Sequence, residues 1–423
     1  LALDLTPARR SPQFRWLAIG QIVTSLGAQA AMVALPYQIY VLSHSATLVG
    51  LLGAFELGPM IVVSLVGGAL ADRRDRRPIL VVAQTVVMAV TAILFALTII
   101  GATPVLVILV LGGLLAGATA LAGAIRSAVV PVLLGPELLR SGLTLNYGLN
   151  EAAGIIGPGL GGLLIGIVGV QWIYAVDALS GIGMIVAAIA IGPQPPIGVG
   201  GRRLPVHRAI GEGLRFVVRN RAIAGSFAID INAMTFGMPR ALFAVLSLSV
   251  YHAGAGGTGL LYTALAIGGT LAVLVSGWVQ EVSRLGRVVI ACVLLWGLSI
   301  LGAGLVRSIW PAVALLALAG WADGISAVCR TQITQTLTPD RLRGRTSAVY
   351  SLVVTSGPRL GDIESGLVAG IVGALDSVVI GGAACVICVG AIVALFPDLA
   401  GYDADRAMEL VRAENYKQEE MTT

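Results

Sequence analysis

The pentapeptide Gly157-Pro158-Gly159-Leu160-Gly161 recurs 200 positions later as Gly357-Pro358-Arg359-Leu360-Gly361, and each copy sits inside a long apolar stretch. Two further pairs keep the same order. Gly68-Ala69-Leu70-Ala71-Asp72-Arg73 is echoed by Gly277-Trp278-Val279-Gln280-Glu281, and Pro136-Glu137-Leu138-Leu139-Arg140 by Pro339-Asp340-Arg341-Leu342-Arg343, with separations of 200 to 209 residues across the three pairs. One such match could be chance. Three in register argue for a duplicated unit, the plan of transporters whose site lies between internal repeats.

The surroundings of these motifs set the solvent. Hydrophobic residues make up 57% of the 423 positions and charged residues 12%, about half the charged share of a soluble domain. The apolar residues fall in blocks of roughly 20 to 28, enough to cross a hydrocarbon core of about 30 Å as a helix. Spans are expected at 16–41, 48–71, 78–101, 104–126, 143–169 and 171–192, then at 222–248, 257–280, 286–306, 310–331, 346–373 and 376–397. The expected fold is an all-α membrane protein of twelve transmembrane helices in two pseudo-symmetric six-helix bundles, 1–192 and 222–397, with a cytoplasmic tail at 398–423. Trp16, Trp172 and Trp310 stand at span starts, where an indole favours the membrane interface.

Basic residues give the orientation, because Lys and Arg mark cytoplasmic loops. Counted on the side that holds the N-terminus are 24 of the 27, Arg330 among them as a loop residue; Arg307 falls in an outer loop, and Arg240 and Arg359 inside spans. Both termini are therefore expected in the cytoplasm. The net charge of +5 follows from this sidedness and gives no reason to invoke nucleic acid. The segment 193–221 opens with Pro193, Pro195 and Pro196, passes through Gly198, Gly200 and Gly201, and then sets Ile210, Leu214, Val217 and Val218 on one helical face. It reads as an interfacial amphipathic helix joining the halves.

Other classes of protein find little support. Cys292, Cys329, Cys385 and Cys388 lie in apolar blocks, which indicates neither a disulfide framework nor a metal site. With only His44, His207 and His252, no Walker loop and no loop large enough for a catalytic domain, an enzyme is not expected. No cofactor is implied. No cleavable leader is expected before the first apolar block, and that helix would serve as its own insertion signal.

The string Gly68-x-x-x-Asp72-Arg73-x-x-Arg76-Arg77 resembles the signature of the major facilitator superfamily between its second and third helices. The resemblance implies a conformational latch made by Gly68, Asp72, Arg73, Arg76 and Arg77, with Arg126 on the fourth helix as its partner. Asp75 departs from the family pattern, which has Gly there. Ala153-x-x-x-Gly157-Pro158-x-x-Gly161-Gly162 resembles the motif of proton-coupled antiporters in that superfamily. Glycines let helices touch backbone to backbone, and Pro158 is expected to bend the fifth span. His44-Ser45, Gly213-Leu214-Arg215-Phe216, Thr338-Pro339-Asp340 and Gly344-Arg345 extend the likeness to the enterobactin exporter branch. That branch implies export of a siderophore or similar small amphipathic metabolite from the cytoplasm; a monomer in a bacterial inner membrane, exchanging its substrate for protons, is expected, and a multidrug efflux antiporter of the same fold is the alternative.

Seven acids lie in the expected spans: Glu56, Glu151, Asp177, Asp230, Asp323, Asp362 and Glu364, beside Arg240 and Arg359. At roughly 3 kcal/mol for each charge at a lipid-facing helix centre, nine would cost on the order of 25 kcal/mol. Most must face protein or water. Asp323 is the leading candidate for coupling because of its central depth, followed by Glu56; Asp230, Arg240, Arg359, Asp362 and Glu364 are cavity candidates. Asp177 and Glu151 read equally well as packing residues.

Overall fold

In a computed structural model, residues 5–194 and 206–404 are described, the side chains of 64–73, 136, 206–210 and 340–341 excepted. The described chain is helical, with no strand. Six long helices come first: α1 (Pro12–Ser43), α2 (Ala46–Arg73), α3 (Arg76–Ile100), α4 (Val105–Gly135), α5 (Glu137–Val168) and α6 (Val170–Ile191). A shorter helix, α7 (Val206–Arg219), follows. Then come α8 (Arg221–Phe236), α9 (Leu242–Val245), α10 (Gly254–Val275), α11 (Leu285–Leu305), α12 (Ile309–Leu337), α13 (Asp340–Val372) and α14 (Ala374–Leu395). Every expected span has its helix, α8 and α9 sharing the seventh. Among the described residues, ten segments are long and apolar enough to cross a bilayer. Large side chains face outward along them, Trp310 at 71% and Ile387 at 72% exposure, as a lipid solvent allows.

The repeated Pro-acid motifs prove to be helix starts. Gly135, at φ 63°, ψ 172°, interrupts what is otherwise one continuous helix from Val105 to Val168, a backbone state open to glycine at no Cβ cost. α5 then begins directly with Glu137, and α13 begins at Asp340 after the extended Thr338. Proline suits a first turn and an acid there complements the helix dipole. Both helices thus start about six residues earlier than expected. The interruption falls at Gly135 and not at Pro158, which stays within the helical run.

The seventh span is not continuous. α8 ends at Phe236, Gly237–Ala241 leaves helical geometry, and α9 runs into a π turn over Leu246–Val250. Pro239 supplies no backbone donor, and Gly237 lies against the Trp296 indole, where a Cβ would stand 2.3 Å from Nε1. Gly237, Met238 and Pro239 are buried, which is the condition for irregular backbone at membrane depth. Arg240 therefore sits at a break.

The described chain forms two compact units: Leu1–Arg202 with Arg240–Ala266 and Gly366–Ala374, and Arg203–Pro239 with Ile267–Ser365 and Leu375–Thr423. In the first, Phe14, Leu17, Leu80, Ile125 and Met184 of α1, α3, α4 and α6 build the core. In the second, Val217 of α7 packs with Ile223, Phe227 and Val349, and Glu212 pairs with Arg345. Leu214 and Val218 remain 50% and 66% exposed, leaving part of the α7 apolar face open as an interfacial helix requires. Pro195, Pro196, Gly198, Gly200 and Gly201, the side chain of Ile210, and the tail after residue 404 lie outside the described residues.

A reporter fused after Arg77, within 193–221 or at the C-terminus is expected to report cytoplasm, and one beside His252 the opposite side. One reversed loop would break the twelve-crossing topology.

Candidate functional site: a buried acid–arginine–acid cluster

Asp323 and Arg330 lie seven residues apart on α12, two helical turns, so they share a face. Asp230 reaches the same place from α8. Arg330 Nη1 is 2.7 Å from Asp230 Oδ1, and both side chains are 3% exposed. Arg330 Nη2 is 3.4 Å from Asp323 Oδ1, whose side chain is 34% exposed. Two acids thus face one base. Asp230 Oδ2 and Arg330 Nε have no hydrogen-bond partner, and Thr334 closes the next turn by donating to the Arg330 carbonyl at 2.8 Å. A cleft of about 230 Å³ elsewhere on α12 is lined by Gln280, Thr331, Gln332, Gln335 and Thr336 among others.

Arg330 is the residue that sequence reasoning misplaced. It was assigned to a cytoplasmic loop, but α12 continues to Leu337 and buries it. The signal was its seven-residue spacing from Asp323, which a count of loop charges overlooks. Of the other cavity candidates, Glu56 is half-buried on α2, as are Arg359, Asp362 and Glu364 on α13. Arg240 offers its carbonyl to the Tyr262 hydroxyl at 3.0 Å. Among these candidates, Arg330 brings Asp230 and Asp323 together.

The glycine motif of α5 has a direct geometric reading. A Cβ at Gly157 would meet Gln29 of α1 at 2.5 Å, and one at Gly161 would meet Ala30 Cα at 2.8 Å. On the other face, a Cβ at Gly162 would stand 2.8 Å from Gly259 Cα of α10. A matching crossing joins α13 to α2, where a Cβ at Gly366 would stand 2.5 Å from Gly50 Cα. These contacts leave room for hydrogen only.

Around the other motif, Gly68, Asp72 and Arg73 are helical in α2, with side chains outside the described residues. Arg76 is 7% exposed, its Nε and Nη1 without hydrogen-bond partners, while Arg77 and Arg126 are half-buried. Asp75, the departure from the family pattern, caps α3: its Oδ1 accepts from the backbone N–H of Arg77 and of Gln194, each at 2.9 Å.

A bundle of apolar helices with glycine crossings, a broken span and buried charge defines a membrane transporter of the major facilitator fold. The chain belongs to the transmembrane secretion effector family, whose profile matches residues 4–421. It is similar to the enterobactin exporter EntS of Salmonella choleraesuis, 28% identical over 363 residues that cover 85% of this chain and 86% of that one. EntS of Escherichia coli O139:H28 is 27% identical over 360 residues with the same coverage. Among solved structures, the nucleoside transporter NupG superposes with a TM-score of 0.75 at 12% identity, over 91% of this chain and 99% of that one. A bacterial homologue of the human lysosomal transporter Spinster gives 0.69 at 14% identity, over 95% and 98%.

Removing one partner from a buried ion pair leaves an uncompensated charge, at about 3–5 kcal/mol. Arg330→Met is expected to lose stability on that scale in thermal unfolding of the detergent-purified protein. Adding Asp230→Asn should recover part of it; additive losses would show that the two side chains are not coupled.

Proposed function

We propose that this protein is a secondary active exporter of a bacterial inner membrane, moving a siderophore or similar small amphipathic metabolite out of the cytoplasm in exchange for protons. Its two six-helix halves, 1–192 and 222–397, would alternate access around the buried charges, with both termini cytoplasmic and the latch of Gly68, Asp72, Arg73, Arg76, Arg77 and Arg126 holding one of the two states. The substrate class is supported by the likeness to proteins named as enterobactin exporters.

The observation that carries the coupling is the imbalance in the cluster. Arg330 neutralises one carboxylate, and a second ionised acid beside it leaves net negative charge in a low-dielectric place. One proton restores neutrality. Asp323 is the acid that water can reach, its side chain 34% exposed against 3% for Asp230, and we assign the exchange to it; Asp230 serves as the standing partner. Wetting of Asp323 from one side and then the other would load and release the proton.

A proton moving down 100 mV supplies about 2.3 kcal/mol, which sustains roughly a fifty-fold gradient of a neutral substrate in one-for-one exchange. In proteoliposomes a proton gradient directed toward the cytoplasmic face is expected to drive substrate away from that face. Asp323→Asn should still bind substrate but fail to concentrate it. Concentration by Asp323→Asn would remove that residue from the coupling step, and indifference of the wild type to the proton gradient would remove antiport.

A further inference from the structure

Helix α6 carries a single charged residue, Asp177, which is 1% exposed. Neither carboxylate oxygen has a hydrogen-bond partner. The α1 backbone presses on it: a Cβ at Gly27 would stand 2.8 Å from Asp177 Oδ1 and 3.0 Å from its Cα. The Ser180 hydroxyl, one turn on, is given to the Asp177 backbone carbonyl at 2.7 Å. From α3, Gln84 and Met88 lie against Gly181, and Gln84 Nε2 is itself buried without a partner.

The charges on the surrounding helices are far away or of the wrong sign. The one charged residue of α1, Arg15, precedes Gly27 by 12 residues, about 18 Å of helix. On α3 the charges are Arg76 and Arg77, the nearer 11 residues before Met88, about 16 Å. α4 starts at the same end of the bundle as α6, and its Arg126 lies about 20 Å deeper than Asp177 at 1.5 Å per residue. On α5, Arg140 stands near the opposite end, and Glu137 and Glu151 are acids, which oppose ionisation of a third.

An ionised carboxylate with no counter-charge, and with a hydroxyl already given to the Asp177 carbonyl as its nearest donor, costs several kcal/mol in such a place, and the neutral acid far less. We propose that Asp177 is a proton-binding site, its carboxyl protonated in this conformation and shut from water by the Gly27 contact. It differs chemically from the Asp230–Arg330–Asp323 cluster, because no cation competes with its proton. The assignment goes beyond the export reading and does not depend on it. Separation of α1 from α6 at Gly27 would wet the carboxyl and free the proton.

The test is infrared spectroscopy of the purified full-length protein in lipid at neutral pH, with Asp177→Asn as reference. The wild-type minus variant spectrum is expected to show the carbonyl stretch of a carboxylic acid, and carboxylate bands in its place would overturn the proposal. Thermal unfolding reads the same question independently of spectral overlap. A neutral amide of the same shape should replace a neutral acid with unchanged melting, whereas collapse of Asp177→Asn would reveal a hidden cation partner and overturn the assignment.

Discussion

A hydrocarbon solvent will not hold an unbalanced charge, and Arg330 between Asp230 and Asp323 is where this protein meets that constraint most directly. The arginine cannot lose its proton, so its burial requires at least one carboxylate beside it. Two are present. For Arg330 to reach both, α8 and α12 must stay in register, and in the proposed exchange the surplus acid is the one that takes the proton. The same constraint allows Asp177 only as a neutral acid, since its surroundings offer Gln84 and Ser180 in place of a cation.

The scaffold around these charges is held by absence of side chain as much as by its presence. At Gly157, Gly161 and Gly162, α5 meets α1 on one face and α10 on the other at distances that no Cβ tolerates. Lipid gives helices little hydrophobic reason to associate, so close backbone approach and dispersion carry the packing. Hydrogen bonds add to them, Thr263 Oγ1 of α10 donating to the Ile155 carbonyl of α5 at 3.2 Å and Ser25 Oγ of α1 to Asn150 Oδ1 of α5 at 3.4 Å.

Much of the fold was legible because lipid leaves few options. Apolar block length fixes a helix, and the repeated Gly-Pro and Pro-acid strings mark equivalent backbone positions, two of which are the starts of α5 and α13. Breaks were harder to read. Gly237 and Pro239 interrupt the seventh span inside a run whose hydropathy never falls, and a window average cannot register two residues. The site was legible in half: Asp230 and Asp323 stood out as acids in apolar sequence, but their pairing depends on where α12 ends. Counting Arg330 as a loop marker hid the base that joins them. The sequence of α6 leaves Asp177 undecided, because burial without partners is a property of neighbouring helices and not of α6.

The duplication also separates what the architecture needs from what the chemistry needs. Arg126 and Arg330 stand ten and nine residues before the repeated Pro136 and Pro339, so the first copy holds an arginine near the place where the second holds its cluster. The first-copy arginine is half-buried, whereas Arg330 is 3% exposed between two acids. Similarly, Gly159 and Gly162 of the first glycine motif correspond to Arg359 and Asp362 of the second. The backbone elements are kept in both copies while the charges are not, because helix packing constrains each half alike. The proposed exchange would need only one acid, so the charges are free to differ between two copies whose packing elements repeat.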